Sequence, residues 1–144
     1  MEPVYSVTVN AQGGREGKVW TEEGPLNLEL TTPAVLGGKG QLRTSYLELF
    51  GASIAACYQN AIQQAAGIDD HDNPDEVFAD VAAQVDVLKD PERGGHRLSV
   101  VLHVKFYGGR FNELLDLRVI DEASGFCPLI KALEGECDFA IRRY

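Results

Sequence analysis

Residues 45–66 read SYLELFGASIAACYQNAIQQAA, and the way this stretch folds governs the rest of the chain. It contains no proline and is rich in Ala and Leu. Ser45, followed by Glu48 three residues on, has the form of a capping box. A helix from residue 45 to about 66 is therefore predicted, with Gly67 as its stop. Phe50, Ile54, Cys57, Ala61 and Gln64 follow one helical stripe, while Gly51, Ala52, Ser53, Ala55 and Ala56 make the middle apolar and small-sided almost all round. A helix of that kind belongs inside a protein rather than on its surface. It carries too much apolar surface for a lone small domain, so two chains are expected to share it.

Toward the N-terminus the period changes from helical to alternating. Tyr5, Val7 and Val9 share one face of an extended segment, and Gly13-Gly14-Arg15-Glu16-Gly17 reads as a tight turn into a return strand at Lys18-Val19-Trp20. Leu26, Leu28 and Leu30 place a third strand beside it, so the opening reads as a three-stranded antiparallel meander. Pro33 and the glycines at 37, 38 and 40 make the next stretch a loop. Beyond the helix, Val77, Ala79, Val81, Ala83, Val85 and Val87 alternate as a long strand, a turn falls at 89–95, and Leu98, Val100, Leu102, Val104 and Phe106 return. Gly108-Gly109 ends that strand. A second helix is expected over 112–123, with Leu115, Val119 and Glu122 as its stripe. A short helix follows near Cys127-Pro128, because proline is well tolerated in a first helical turn, and Cys137, Phe139 and Ile141 form the inward face of a last strand. Three strands, a buried helix, two strands, one or two helices and a strand imply an α+β fold with helices packed on antiparallel sheets.

Composition narrows the function classes. A chain of 144 residues with 44% hydrophobic and 24% charged residues fits one soluble globular domain. No run approaches the length of a membrane span, and the first residues lack the features of a secretory signal, so a cytoplasmic location is expected. A formal net charge of -9 repels phosphates and argues against nucleic-acid binding. The acidic run at 69–76 lacks the glycine and spaced glutamate of a calcium loop, and a solvated connector is the better reading. No metal site is expected.

Three cysteines cannot all pair within one chain, so they are either inert or placed for redox chemistry. Cys57 lies mid-helix among alanines, where a free cysteine is usually a small buried hydrophobe. Cys127 precedes Pro128 at a helix start, where unpaired N–H groups and the helix dipole favour a thiolate, although a plain buried thiol fits the same place. Cys137 reads as core. The residues alone leave open which of these carries chemistry.

Three ordered blocks extend the reading. They are Gly13-Gly14-Arg15-Glu16-Gly17 with Leu30-Thr31-Thr32-Pro33 and Leu36-Gly37-Gly38; Leu49-Phe50 leading to Ala55-Ala56-Cys57-Tyr58; and Cys127-Pro128 through Lys131-Ala132 to the final strand. With them the chain resembles the organic hydroperoxide resistance (Ohr) proteins of the osmotically inducible protein C (OsmC) superfamily. The resemblance implies one domain over 1–144, sheets around a buried central helix, and an intertwined homodimer. It implies Cys57 as the peroxidatic cysteine, Cys127 as the resolving one and Arg15 as the residue that assists. Phe50, Ile54 and Tyr58 would line the site for an alkyl or fatty-acid hydroperoxide. No bound metal, haem or flavin is implied, and the reductant would be a dihydrolipoamide-type dithiol or a lipoylated protein. The family's Asn-Pro-Glu near the helix start is Ser45-Tyr46-Leu47 here, so its arginine-pairing glutamate is Leu47. Glu48 lies one residue on, about 100° around a helix. That loss leaves a second expectation, a superfamily member that binds a small apolar ligand in the dimer cleft.

Overall fold

A computed structural model describes residues 1–67, 79–107 and 113–144. The acidic run at 69–76, the proposed strand start at Val77, Gly108-Gly109 and Asn112 lie outside the described residues. The chain divides into two compact units, Met1–Phe50 and Gly51–Tyr144. No helix among the described residues is long and apolar enough to cross a membrane.

In the first unit, β1 (Asn10–Gln12), β2 (Lys18–Trp20) and β3 (Asn27–Glu29) form the expected antiparallel meander in the order β1-β2-β3. The β1–β2 turn runs through a short 3-10 helix at Gly14–Glu16. Gly17 closes it because a Cβ there would sit 1.8 Å from the Gln12 carbonyl oxygen, so any side chain would break the turn. The first strand is shorter than its alternation predicts. Asn10 pairs with Trp20, and at Thr21 the partner chain turns away, with the Thr21 N–H donating to the Leu26 carbonyl. Tyr5, Val7 and Val9 therefore outrun their partner and stand exposed. Alternation sets which face a side chain takes; it does not supply a ladder to pair with.

The α1 helix (Tyr46–Ala65) begins as its sequence predicts. The Ser45 Oγ accepts the Glu48 N–H at 3.2 Å, and the Glu48 carboxylate accepts the Ser45 N–H at 2.6 Å. A reciprocal cap of this type contributes about 1 kcal/mol.

In the second unit, β4 (Ala79–Lys89) and β5 (His96–Phe106) pair antiparallel along their full lengths, from Ala79↔Phe106 to Lys89↔His96. Their alternation holds: Val100, Leu102 and Val104 are buried on one face, while Lys105 and Gln84 are exposed on the other. α2 (Glu113–Phe126) and α3 (Pro128–Leu133) then carry the chain to β6 (Asp138–Arg143), which lies on the far side of β5 and parallel to it. The second sheet is thus mixed, not antiparallel throughout. A helical crossover returns the chain to the end at which β5 began, and a strand starting there runs the same way. The architecture is α+β.

Two helical stripes differ from expectation. Gly51, Ile54, Tyr58, Ala61 and Ile62 are the buried residues of α1, so Tyr58 rather than Cys57 holds the centre of the stripe. Ala52, Ser53, Ala56 and Asn60 remain exposed in the single chain, which leaves α1 less enclosed than its composition predicts. In α2 the buried set is Asp116, Val119 and Ala123: Val119 is buried as expected, while Asp116 and Ala123 replace the expected Leu115 and Glu122, each one position on. Arg143 on β6 accounts for the burial of Asp116. Its Nε donates to Asp116 Oδ2 at 2.6 Å, which lets a carboxylate occupy a core position.

Candidate active site

Cys57 and Cys127 are far apart in sequence, but their sulfur atoms lie 3.0 Å apart in the second unit. Cys57 is half-buried on α1, and Cys127 has no exposed surface. Cys127 forms the single-residue joint between α2 and α3. Its N–H donates to the Ala123 carbonyl at 3.1 Å, as the next residue of α2 would. Its backbone then turns extended, with φ -82° and ψ 109°, and Pro128 opens α3 with no N–H to leave unpaired. The sulfur is thereby delivered from the joint of two helices to the flank of a third.

Burial pushes the Cys127 thiol above its ordinary range, and its contact with Cys57 pushes it the same way. The N–H groups of Ile130 and Leu129 at the start of α3 pull in the other direction and do not prevail. Of the two readings left open for Cys127, the buried thiol is the one this geometry favours, because a six-residue helix offers too small a field to offset the loss of water. Two neighbouring thiols, one fully buried and one reachable from solvent, suit a sequence in which the accessible sulfur reacts first.

Tyr58 follows Cys57 on α1 and has no exposed surface. Its hydroxyl donates to the Ile120 carbonyl of α2 at 2.9 Å, and burial pushes its pKa up to about 12. The Ser124 hydroxyl donates to the same carbonyl at 3.2 Å. Ile54 is likewise fully buried, whereas Phe50, in the first unit, is half-buried. Of the three residues expected to line a substrate site, Ile54 and Tyr58 are enclosed within the chain. The hydrogen bond to Ile120 is a contact the sequence reading missed. The tyrosine directly after the cysteine was the available signal.

The first unit holds Arg15 in the Gly14–Glu16 turn, exposed, with Nη1 donating to the Leu36 carbonyl at 3.1 Å. Gly37 makes room for it, since a Cβ there would come within 2.7 Å of that nitrogen. The neighbouring Glu16, which the sequence reading also passed over, pins the turn to the loop beyond β3. Its carboxylate accepts the Lys39 N–H at 2.8 Å, the Thr31 hydroxyl at 2.9 Å and the Thr32 N–H at 3.3 Å. The Lys39 bond above all holds the Glu16 carboxyl below its ordinary range. Glu48 is occupied by the helix cap, and the Ser45 N–H holds its carboxyl low. Among the described residues the ion pairs join Arg43 to Glu29, Arg97 to Asp138, Arg118 to Glu122 and Arg143 to Asp116, and Arg15 is in none of them.

Cys137 stands just before β6, half-buried, with its thiol 3.3 Å from the Leu98 carbonyl, and burial pushes its pKa up. Among the described residues no three His, Cys, Asp or Glu side chains converge as metal ligands.

A paired-thiol centre on an α+β scaffold defines the class. Comparison with known proteins narrows it. The chain is 36% identical to the organic hydroperoxide resistance protein OhrA of Bacillus subtilis, over 97% of this chain and 96% of that one. It matches the crystal structure of OhrB from the same organism with a TM-score of 0.83 at 26% identity, covering 99% of this chain and 100% of the other. A Legionella pneumophila structure described as an organic hydroperoxide resistance protein OsmC matches with a TM-score of 0.83 at 30% identity, covering 99% and 98%. No family model matches. The chain belongs to the organic hydroperoxide resistance family.

Proposed function

We propose that this protein is a thiol-dependent peroxidase that reduces organic hydroperoxides to alcohols. The single observation that carries the proposal is the 3.0 Å approach of a half-buried Cys57 sulfur to a fully buried Cys127 sulfur. The Cys57 thiolate attacks the distal peroxide oxygen, the O–O bond breaks, and the alkoxide takes a proton to leave as ROH with Cys57 as sulfenic acid. The Cys127 thiol then displaces water: Cys57–SOH + Cys127–SH → Cys57–S–S–Cys127 + H₂O. A neighbouring thiol of this kind intercepts the sulfenic acid before it climbs the oxidation ladder. A dihydrolipoamide-type dithiol, free or on a lipoylated protein, returns both cysteines to thiols and leaves as its own disulfide. The chemistry calls for no bound cofactor.

Arg15 is assigned the assisting role, in which a guanidinium favours the thiolate and orients the peroxide oxygens. With Leu47 in place of the family glutamate, the Leu36 carbonyl is the acceptor that holds it. The protein is placed in the cytoplasm by this proposal. The exposed strip of Ala52, Ser53 and Ala56 on α1 supports a homodimer, for which an interface above about 2,000 Å² is expected. Sedimentation as a monomer at micromolar concentration would remove that part of the proposal.

The absence of a carboxylate partner for Arg15 among the described residues favours a second reading, in which the protein binds a small apolar ligand without turnover. Titration of the reduced protein separates the two. A peroxidase loses the Cys57 and Cys127 thiols stoichiometrically to cumene hydroperoxide, faster than to hydrogen peroxide. Slow, equal loss to both oxidants would leave only the binding protein.

A further inference from the structure

We propose that the Tyr58 hydroxyl is a positioning group for disulfide formation between Cys57 and Cys127, an assignment that rests on the peroxidase reading above. Cys57 and Tyr58 are consecutive on α1, and the Tyr58 ring is fully buried, so ring and sulfur share one rigid support. From that support the hydroxyl reaches the Ile120 carbonyl of α2 at 2.9 Å. Seven residues on, about two helical turns and roughly 10 Å, α2 ends in Cys127, whose N–H still closes on Ala123 at 3.1 Å. A helix transmits an axial or rotational shift at Ile120 to Cys127 almost undiminished. The hydroxyl therefore ties the two supports of the two sulfurs together at one point.

The reaction needs that tie. A disulfide has an S–S length near 2.05 Å and strict torsional demands. From 3.0 Å the sulfurs have about 1 Å still to close, and a slip of α2 along α1 by a similar distance would undo the alignment. Ile120 accepts a second hydroxyl from Ser124 at 3.2 Å, but that bond lies within α2 and cannot fix one helix against the other. The Tyr58 hydroxyl crosses between the two helices at this carbonyl. Removing the hydroxyl keeps the ring that fills the core and leaves the Ile120 carbonyl bonded to Ser124, so Tyr58→Phe is expected to fold.

The test equilibrates the full chain anaerobically with reduced and oxidised glutathione: two protein thiols plus one oxidised glutathione give the Cys57–Cys127 disulfide plus two reduced glutathiones. Mass spectrometry reads the oxidised fraction. Tyr58→Phe is expected to lower the equilibrium constant about three- to tenfold, by letting one sulfur drift from the other and so lowering its effective concentration there, with the worth of one ordinary hydrogen bond as the upper bound. During turnover of an organic hydroperoxide, Cys57–SOH meets a second peroxide more often before it meets Cys127. The sulfinic acid formed with release of ROH should therefore rise severalfold per turnover. A purely structural hydroxyl would lower the melting temperature but leave both readouts where they were, and that result overturns the proposal. The glutathione equilibrium requires no peroxide. If Tyr58→Phe lowers it while neither protein consumes hydroperoxide, the peroxidase reading falls and the positioning role stands. If the wild type turns over and the equilibrium is unchanged, the positioning role alone falls.

Discussion

The cysteine pair and the arginine turn are built by opposite means. Cys57 and Cys127 are held by packing: helices that bury Ile54, Tyr58, Val119 and Ala123 bring the sulfurs together, and the Tyr58 hydroxyl donates to the Ile120 carbonyl. Arg15 is held by polar contacts on an exposed turn, where Glu16 collects three hydrogen bonds and Leu36 supplies the guanidinium's acceptor. A packed site depends on the core that keeps water out, and a hydrogen-bonded turn depends on its carboxylate staying ionised.

The largest expected effect lies in the packed half. Cys57→Ser should abolish hydroperoxide consumption outright. Cys127→Ser should allow one turnover and then stop, with sulfenic and sulfinic acid accumulating on Cys57 in mass spectra. Equal residual turnover in both variants would break the division of roles.

A smaller effect is expected in the polar half. Arg15→Ala removes one charge-assisted hydrogen bond of roughly 1.5–3 kcal/mol, which slows the first step about ten- to a hundredfold. Arg15→Lys restores the charge without the planar fork and should recover only part of the rate. Leu47→Glu, which returns a carboxylate to the position where the resemblance places one, should quicken the reaction. Stopped-flow consumption of an organic hydroperoxide checks all three, and an unchanged rate in Arg15→Ala would reduce the turn to a structural feature.

The smallest effects are in stability, and the two halves should lose it at opposite ends of the pH scale. The Glu16 carboxyl is depressed on folding, so its contribution is complete above the ordinary value of 4.5 and is lost as pH falls through the lower folded value. Glu16→Gln should flatten that acid limb of the melting temperature. The buried Cys127 thiol is raised on folding, so its contribution is complete below 9.0 and is lost as pH rises through the higher folded value. In reduced protein, Cys127→Ser should remove part of the alkaline fall that begins near pH 9, Cys137 supplying another part. Melting curves of both variants across acid and alkaline pH, against wild type, would sharpen or erase the contrast.

Much of this was determined by the sequence alone, wherever the deciding interaction spans only a few residues. Ser45 and Glu48 specify the start of α1 because a capping box closes within one turn. The glycines of the Arg15 turn specify β1–β2 because Gly17 admits no side chain beside Gln12. Strict alternation specifies β4 and β5 because the pleat repeats every two residues. Other features depended on partners distant in the chain, and no local pattern encodes those. Tyr5, Val7 and Val9 alternate like a strand, yet β2 ends before it can pair with them. β6 runs parallel to β5 because the crossover through α2 and α3 ends where it does. Asp116 is buried because Arg143 meets it there. The approach of Cys57 to Cys127, the upward push that burial gives the Cys127 thiol, and the reach of Tyr58 to Ile120 likewise arise only when α1, α2 and α3 pack together. Short-range chemistry set the elements; exclusion of water between elements set the chemistry of the sulfurs.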